Sequence, residues 1–178
     1  MHIINTKFSG LKIIQQKKIG DPRGSLRETF RKKIIKWDNL IFDYATVSKK
    51  NVLRGFHFNS KYPQAKYVTV LRGKILDYVI DLRKKSKTFG KSFSIVLSED
   101  NCKSLYIPEG FGHAYYSFAK LNLIYYKLSN YYKPKFEGGI VWNDKNLKLK
   151  WPTNKPILAK RDIKWGTFID FKKVYKGF

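Results

Sequence analysis

From residue 44 onward, apolar and polar positions alternate in short runs, a two-residue period that belongs to strands rather than helices. Tyr67-Val-Thr-Val-Leu71 and Lys74-Ile-Leu-Asp-Tyr-Val-Ile-Asp-Leu82 flank Arg72-Gly73, which predicts a hairpin closed by a glycine turn. Residues 93–97, 104–107, 113–118 and 123–128 predict further strands, separated by turn residues at 87–90, 98–101 and 108–110. Many short strands at regular spacing predict an all-β fold, an antiparallel double-sheet sandwich or barrel. Earlier in the chain, short apolar alternations end at Gly20-Asp-Pro-Arg-Gly24, a turn by its glycine and proline content. Residues 27–42 mix basic and apolar side chains and fit a short helix or an irregular strand. The C-terminal third, with Trp151-Pro152, Pro156 and Lys160-Arg-Asp162, reads as more loop than sheet. Its last stretch, residues 168–178, is apolar and basic and suited to packing against a neighbour. No repeat, low-complexity block or linker interrupts residues 1–178, so a single domain is expected.

Composition narrows the classes. A hydrophobic content of 43% with 16% aromatics argues for a folded globule. The single cysteine, Cys102, cannot form an internal bridge, which points to a reducing, cytoplasmic setting. No apolar run is long enough to span a bilayer, so no membrane partner is expected. The net charge of +24 invites a nucleic-acid reading. Lysine, however, outnumbers arginine roughly fourfold and is scattered along the chain rather than gathered into tracts. The excess is therefore read as a mostly solvated surface that draws in a polyanionic small molecule, and no nucleic-acid partner is expected.

Chemistry concentrates in Val52-Leu-Arg-Gly-Phe-His57-Phe58 and Ile107-Pro-Glu-Gly-Phe-Gly-His113, which hold two of the three histidines. A histidine walled by Phe56 and Phe58 is shielded from water, and its strength as a base then depends on the carboxylate it can reach. Such a group suits the removal of a proton from carbon. Pro108-Glu-Gly-Phe-Gly-His113 also has the Pro-x-Gly-x-x-His form of the second cupin motif, and cupins are double-sheet jelly rolls. Metal-binding cupins supply His-x-His and a downstream Glu. Here the strand reads His57-Phe58-Asn59, so no metal and no cofactor is expected.

The region from Asp21 to about Asp162 resembles the dTDP-4-dehydrorhamnose 3,5-epimerases, a metal-free branch of the cupins. The resemblance rests on Asp21-Pro-Arg-Gly-Ser-Leu-Arg-Glu28, the His57 segment, Gln64-Ala-Lys66, Asp81-Leu-Arg83 and Ser86-Lys-Thr-Phe-Gly90. It continues through the His113 segment, Tyr126-Lys-Leu-Ser-Asn-Tyr-Tyr132, Glu137, Trp142-Asn-Asp144, Trp151-Pro152 and residues 157–162. It implies a cupin jelly roll with short helices and irregular terminal segments. His57 would be the base, oriented by Asp162; Tyr126, rather than its neighbour Tyr125, would be the opposing proton donor; Lys66 would be the cation for the enolate oxygen. Arg23, Arg54 and Arg161 would meet the diphosphate. His113 would line the sugar pocket, Tyr132 would stack on the nucleobase, and Glu28 and Glu137 would bind the nucleoside and nearby groups. Arg23 and its neighbours would reach into the partner's pocket of a homodimer.

Three departures stand out. Phe42 and Tyr44 occupy the places of the family's Gln-x-Asn, Leu26 replaces Phe, and Asn59 replaces Gln. The nucleotide-diphosphate sugar expected as substrate is therefore open as to nucleobase and sugar. A guanosine or heptose carrier and inversion at C3 alone are alternatives. So are a cupin 3,4-ketoisomerase and a non-catalytic basic module that binds polyanions.

Overall fold

The structure, a computed structural model, describes residues 1–175 and Phe178. Its strands are β1 (His2–Asn5), β2 (Lys12–Gln15), β3 (Lys18–Asp21), β4 (Gly24–Arg27), β5 (Phe42–Lys49), β6 (Leu53–Asn59) and β7 (Lys66–Arg72). They continue as β8 (Lys74–Asp81), β9 (Ser92–Ser98), β10 (Lys103–Ile107), β11 (Phe111–Ser117), β12 (Leu121–Leu128) and β13 (Glu137–Gly139). Two short helices follow, α1 (Lys160–Ile163) and α2 (Phe168–Val174). The strands form one sheet in the order β1-β2-β10-β7-β12-β5 and a second in the order β13-β6-β11-β8-β9, every pairing antiparallel. The all-β, double-sheet expectation holds.

Period-two patterning explains the layers. Along β12 buried and more exposed positions alternate, and Ile124, Tyr126 and Leu128 point inward. With Val68 and Val70 from β7 they meet Ile75, Val79, Leu97, Phe111 and Tyr115 of the second sheet in the central core. Burying each Val, Leu or Ile there contributes about 1.5–3 kcal/mol. The outer face of the second sheet (Phe56, Phe58, Tyr78, Ile80, Leu82) is covered by Ile140, Leu147, Trp151, Phe168 and Phe171. The outer face of the first is covered around Ile14, Tyr67 and Tyr106 by Ile35, Phe30, Ile34 and Leu40. Strands between two apolar layers are apolar on both sides, and β11 is buried along its whole length.

Two expectations are corrected. β7 and β8 exist where their sequences predict, but they do not pair with each other: β7 lies between β10 and β12, and β8 between β11 and β9. Gly73 is a corner between sheets rather than a hairpin turn. It has φ +86°, and a Cβ there would sit 2.4 Å from the Leu121 carbonyl oxygen. Residues 28–41 form neither helix nor strand. They make one turn closed by Ile34 and Ile35 N–H on the Arg31 carbonyl, and Ile35 is fully buried. The final apolar stretch packs on its own chain, with Phe58 against Phe171 at 5.3 Å, although residues 176 and 177 of that stretch lie outside the described residues. The turn at residues 20–24 forms as expected, joining β3 to β4 in a separate, exposed hairpin.

Candidate active site

Two strand features bring His57 to a carboxylate far away in sequence. Between β6 and β11 the register slips, His113 facing His57 while Tyr115 faces Arg54, so β6 carries an extra residue around Gly55. Gly55 has φ +104°, and a Cβ there would meet the His113 carbonyl oxygen at 2.3 Å, so only glycine fits between the arginine and the histidine. Val52 forms a parallel bridge with Ile157, held by Leu53 N–H on the Ile157 carbonyl and Ile157 N–H on the Asn51 carbonyl. Five residues beyond each bridge partner stand His57 and Asp162. Asp162 is the one buried residue of α1. Its Oδ1 lies 2.7 Å from His57 Nε2, and its Oδ2 accepts the Gly55 N–H at 3.3 Å.

The carboxylate form of Asp162 fixes the tautomer. Burial works to raise its pKa. The hydrogen bond and charge of His57, the Gly55 N–H and Arg161 outweigh burial and hold the carboxyl below its usual value. A carboxylate only accepts, so His57 Nε2 carries a hydrogen, and in the neutral ring Nδ1 is the nitrogen left to take a proton. Nδ1 faces Glu137, whose Oε1 is 3.8 Å away. Glu137 is held in turn by Arg161 at 2.8 Å and by the Tyr132 hydroxyl at 3.0 Å.

A cavity of about 390 Å³ opens between the sheets at this end. The second sheet supplies His57, Arg54, His113 and Tyr115 to its lining, and the first supplies Phe42, Tyr44, Lys66 and Tyr126. Register explains the second group: Tyr126 pairs with Tyr44, and Leu128 pairs with both Phe42 and Lys66, so these side chains share one face. Tyr125 points the other way, its hydroxyl on Asp43.

Burial pushes the Lys66 ammonium down to about 8, against the opposing pull of Glu137 and Asp77. Burial likewise raises the Tyr126 phenol well above its usual value, with Tyr115 and Tyr44 adding to it and Arg54 opposing, so the group stays protonated. Arg54 is braced by the Ser48 hydroxyl at 3.1 Å and the Val47 carbonyl at 3.3 Å.

Eleven of the thirteen residues singled out from sequence therefore line one cavity: Phe42, Tyr44, Arg54, His57, Lys66, His113, Tyr126, Tyr132, Glu137, Arg161 and Asp162. Arg23 and Glu28 do not. Arg23 stands on the exposed β3–β4 hairpin, 90% exposed and paired with Asp21, and Glu28 pairs with Arg31. Sequence reasoning missed Asp77, which is fully buried 2.8 Å from His113 Nε2 and gives the second histidine its own carboxylate. Burial raises the Asp77 carboxyl despite His113 and Lys66. The available signal was an acid in the apolar run Ile75-Leu-Asp-Tyr-Val79. Thr46 and Tyr115 were missed too; Tyr115 donates to or accepts from Thr46 and Ser48.

Comparison with known proteins finds relatives over nearly the whole chain. The family model described as dTDP-4-dehydrorhamnose 3,5-epimerase matches residues 5–170. A dTDP-4-dehydrorhamnose 3,5-epimerase of Shigella flexneri is 35% identical over 176 residues, covering 96% of this chain and 97% of that protein. The crystal structure of the Legionella pneumophila dTDP-6-deoxy-D-glucose-3,5-epimerase in complex with dTDP-4-keto-L-rhamnose superposes with a TM-score of 0.88. It is 35% identical, covering 93% of this chain and 92% of that one. A 3'-monoepimerase from Streptomyces bikiniensis in complex with dTDP-quinovose gives a TM-score of 0.89 at 27% identity, covering 98% of this chain and 90% of that one. These relatives make the double sheet a cupin jelly roll.

Proposed function

The chain belongs to the dTDP-4-dehydrorhamnose 3,5-epimerase family, and from that membership and its cavity we propose a cofactor-independent epimerase of a dTDP-linked 4-keto-6-deoxysugar. Its product serves deoxysugar biosynthesis. The observation that carries the reading is that a carboxylate-backed imidazole and a buried phenol project from facing sheets into one cavity.

The C4 carbonyl acidifies the C–H bonds on its two neighbouring carbons. His57 Nδ1 takes the proton, the C–H electron pair becomes the C=C bond of an enolate, and the carbonyl oxygen takes the negative charge beside Lys66. Asp162 stabilises the imidazolium through the 2.7 Å hydrogen bond. Tyr126 then gives its proton to the opposite face of the same carbon, the ketone re-forms with inverted configuration, and both groups reset by exchange with solvent. A fixed cation held by its buried stem stabilises the enolate oxygen without reorganising at the moment of reaction.

Arg54 and Arg161 suit the diphosphate because each presents a planar fork at the cavity. Tyr132 and Glu137 stand at the same mouth for the nucleoside, and His113 for the sugar. Arg23 and Glu28 would act in trans in a homodimer. Support comes from the β3–β4 hairpin, which is exposed along nearly its whole length and bares Ile19 and Leu26. The buried, unpaired Cys102 is consistent with a reducing cytoplasm, and no described helix is long and apolar enough to cross a membrane.

The test is turnover of dTDP-4-keto-6-deoxyglucose in D₂O followed by NMR. The epimerase places deuterium at the carbons flanking C4 and leaves the ketone at C4; a ketone relocated to C3 would mean an isomerase and overturn the reading.

A further inference from the structure

Tyr126 is not the only free phenol at the cavity. Tyr44 lies beside it on the neighbouring strand, the two rings stacked at 4.8 Å with planes 24° apart, and both line the cavity. Other tyrosines nearby are engaged: Tyr115 by Thr46 and Ser48, Tyr132 by Glu137, Tyr125 by Asp43. The hydroxyls of Tyr44 and Tyr126 bond to no other protein group among the described residues. Phe42 packs on the outer side of Tyr44 at 5.8 Å and Tyr131 on Phe42 at 5.8 Å, so an aromatic ladder holds Tyr44 in place.

The geometry points to Tyr44 as a second proton donor, so that the two carbons flanking the carbonyl are reprotonated by two adjacent phenols. This rests on the epimerase reading above. The substrate presents two acidic carbons on either side of one carbonyl, and the first sheet presents two parallel phenols side by side. Each step balances as for Tyr126: the O–H proton goes to carbon, the enolate electron pair forms the new C–H bond, the ketone re-forms, and the phenolate regains a proton from solvent. Burial, with Tyr115, Glu137 and Tyr132, pushes the Tyr44 phenol up and Arg54 opposes it, so the group is protonated and ready to donate at neutral pH.

The experiment is position-resolved deuterium incorporation into dTDP-4-keto-6-deoxyglucose by wild type, Tyr44→Phe and Tyr126→Phe. Wild type should label both carbons. Tyr44→Phe should bind dTDP as wild type does and lose at least tenfold in labelled product of inverted configuration at one carbon while keeping the other. Tyr126→Phe should spare the carbon that Tyr44→Phe loses, since His57 recharged from solvent returns deuterium only to the face it deprotonated. The ratio of the two labels is read within one preparation, so a partly unfolded variant does not change it. An unchanged ratio in Tyr44→Phe, or a wild type that labels one carbon only, overturns the second donor. A wild type that labels neither carbon takes down the epimerase reading, and this inference with it.

Discussion

Lys66 offers the sharpest pH test, because its ammonium is pushed down to about 8. A group with that pKa is about 90% charged at pH 7 and about 10% charged at pH 9. If the charged form stabilises the enolate oxygen, the alkaline limb of kcat/KM for deuterium incorporation should bend near pH 8 and fall roughly tenfold per unit above it. Lys66→Met, with no cation at any pH, should lose about 10²–10³ in kcat, the loss typical when one preorganised electrostatic contact to an oxyanion is removed. Lys66→Arg keeps its charge throughout this range, so its alkaline fall should vanish below pH 10 even though the larger head group lowers the plateau. The assay is initial-rate label incorporation from pH 6 to 10. An alkaline fall near 8 that persists in Lys66→Arg, or a fully active Lys66→Met, would refute the assignment. Stability should move in the opposite sense. Between about pH 8 and 10 the unfolded chain keeps a proton on Lys66 that the folded chain has lost, so resistance to denaturant from this group rises with pH across that window.

Asp162→Asn should keep the fold and lower kcat about 10- to 150-fold, the equivalent of a charged hydrogen bond of about 1.5–3 kcal/mol, while dTDP affinity measured by calorimetry stays near wild type. Because the Asp162 carboxyl is held below its unfolded value, its contribution to stability is present above about pH 4 and is lost as pH falls through the folded pKa. Acid titrations of wild type and Asp162→Asn should therefore converge at low pH. Gly73→Ala should cost about 1–3 kcal/mol in chemical denaturation, since the new Cβ meets the Leu121 carbonyl at a positive φ.

Part of this site was legible because catalysis here needs residue types that stand out locally. His57 between two phenylalanines stands out locally, whereas the roles of Lys66, Tyr126 and Asp162 came from their places in motifs that resemble the epimerase family. Strand positions were legible for the same reason: period-two alternation is a local property. Pairing is not. Residues 72–73 look like a hairpin turn because glycine marks a change of direction. Whether the next strand returns along its neighbour or crosses to the facing sheet depends on contacts from elsewhere in the chain, such as Asn122 and Glu99, which accept the backbone N–H groups of Lys74 and Gly73. Asp77 escaped notice because a lone acid in a strand declares nothing until its partner, His113, is seen across the β8–β11 pairing. Residues 28–41 carry no period because their role is to lay Ile34, Ile35 and Leu40 over a sheet face already formed.

The imidazole and phenol that line one cavity from facing sheets are tested most directly with His57→Asn in D₂O. Asparagine keeps a polar group near Asp162 and removes the base. The enzyme should retain dTDP binding within about twofold and lose solvent exchange at both flanking carbons by about 10²–10⁴-fold. Exchange at the wild-type rate in a His57→Asn enzyme that binds dTDP normally would show that the proton leaves carbon by another route.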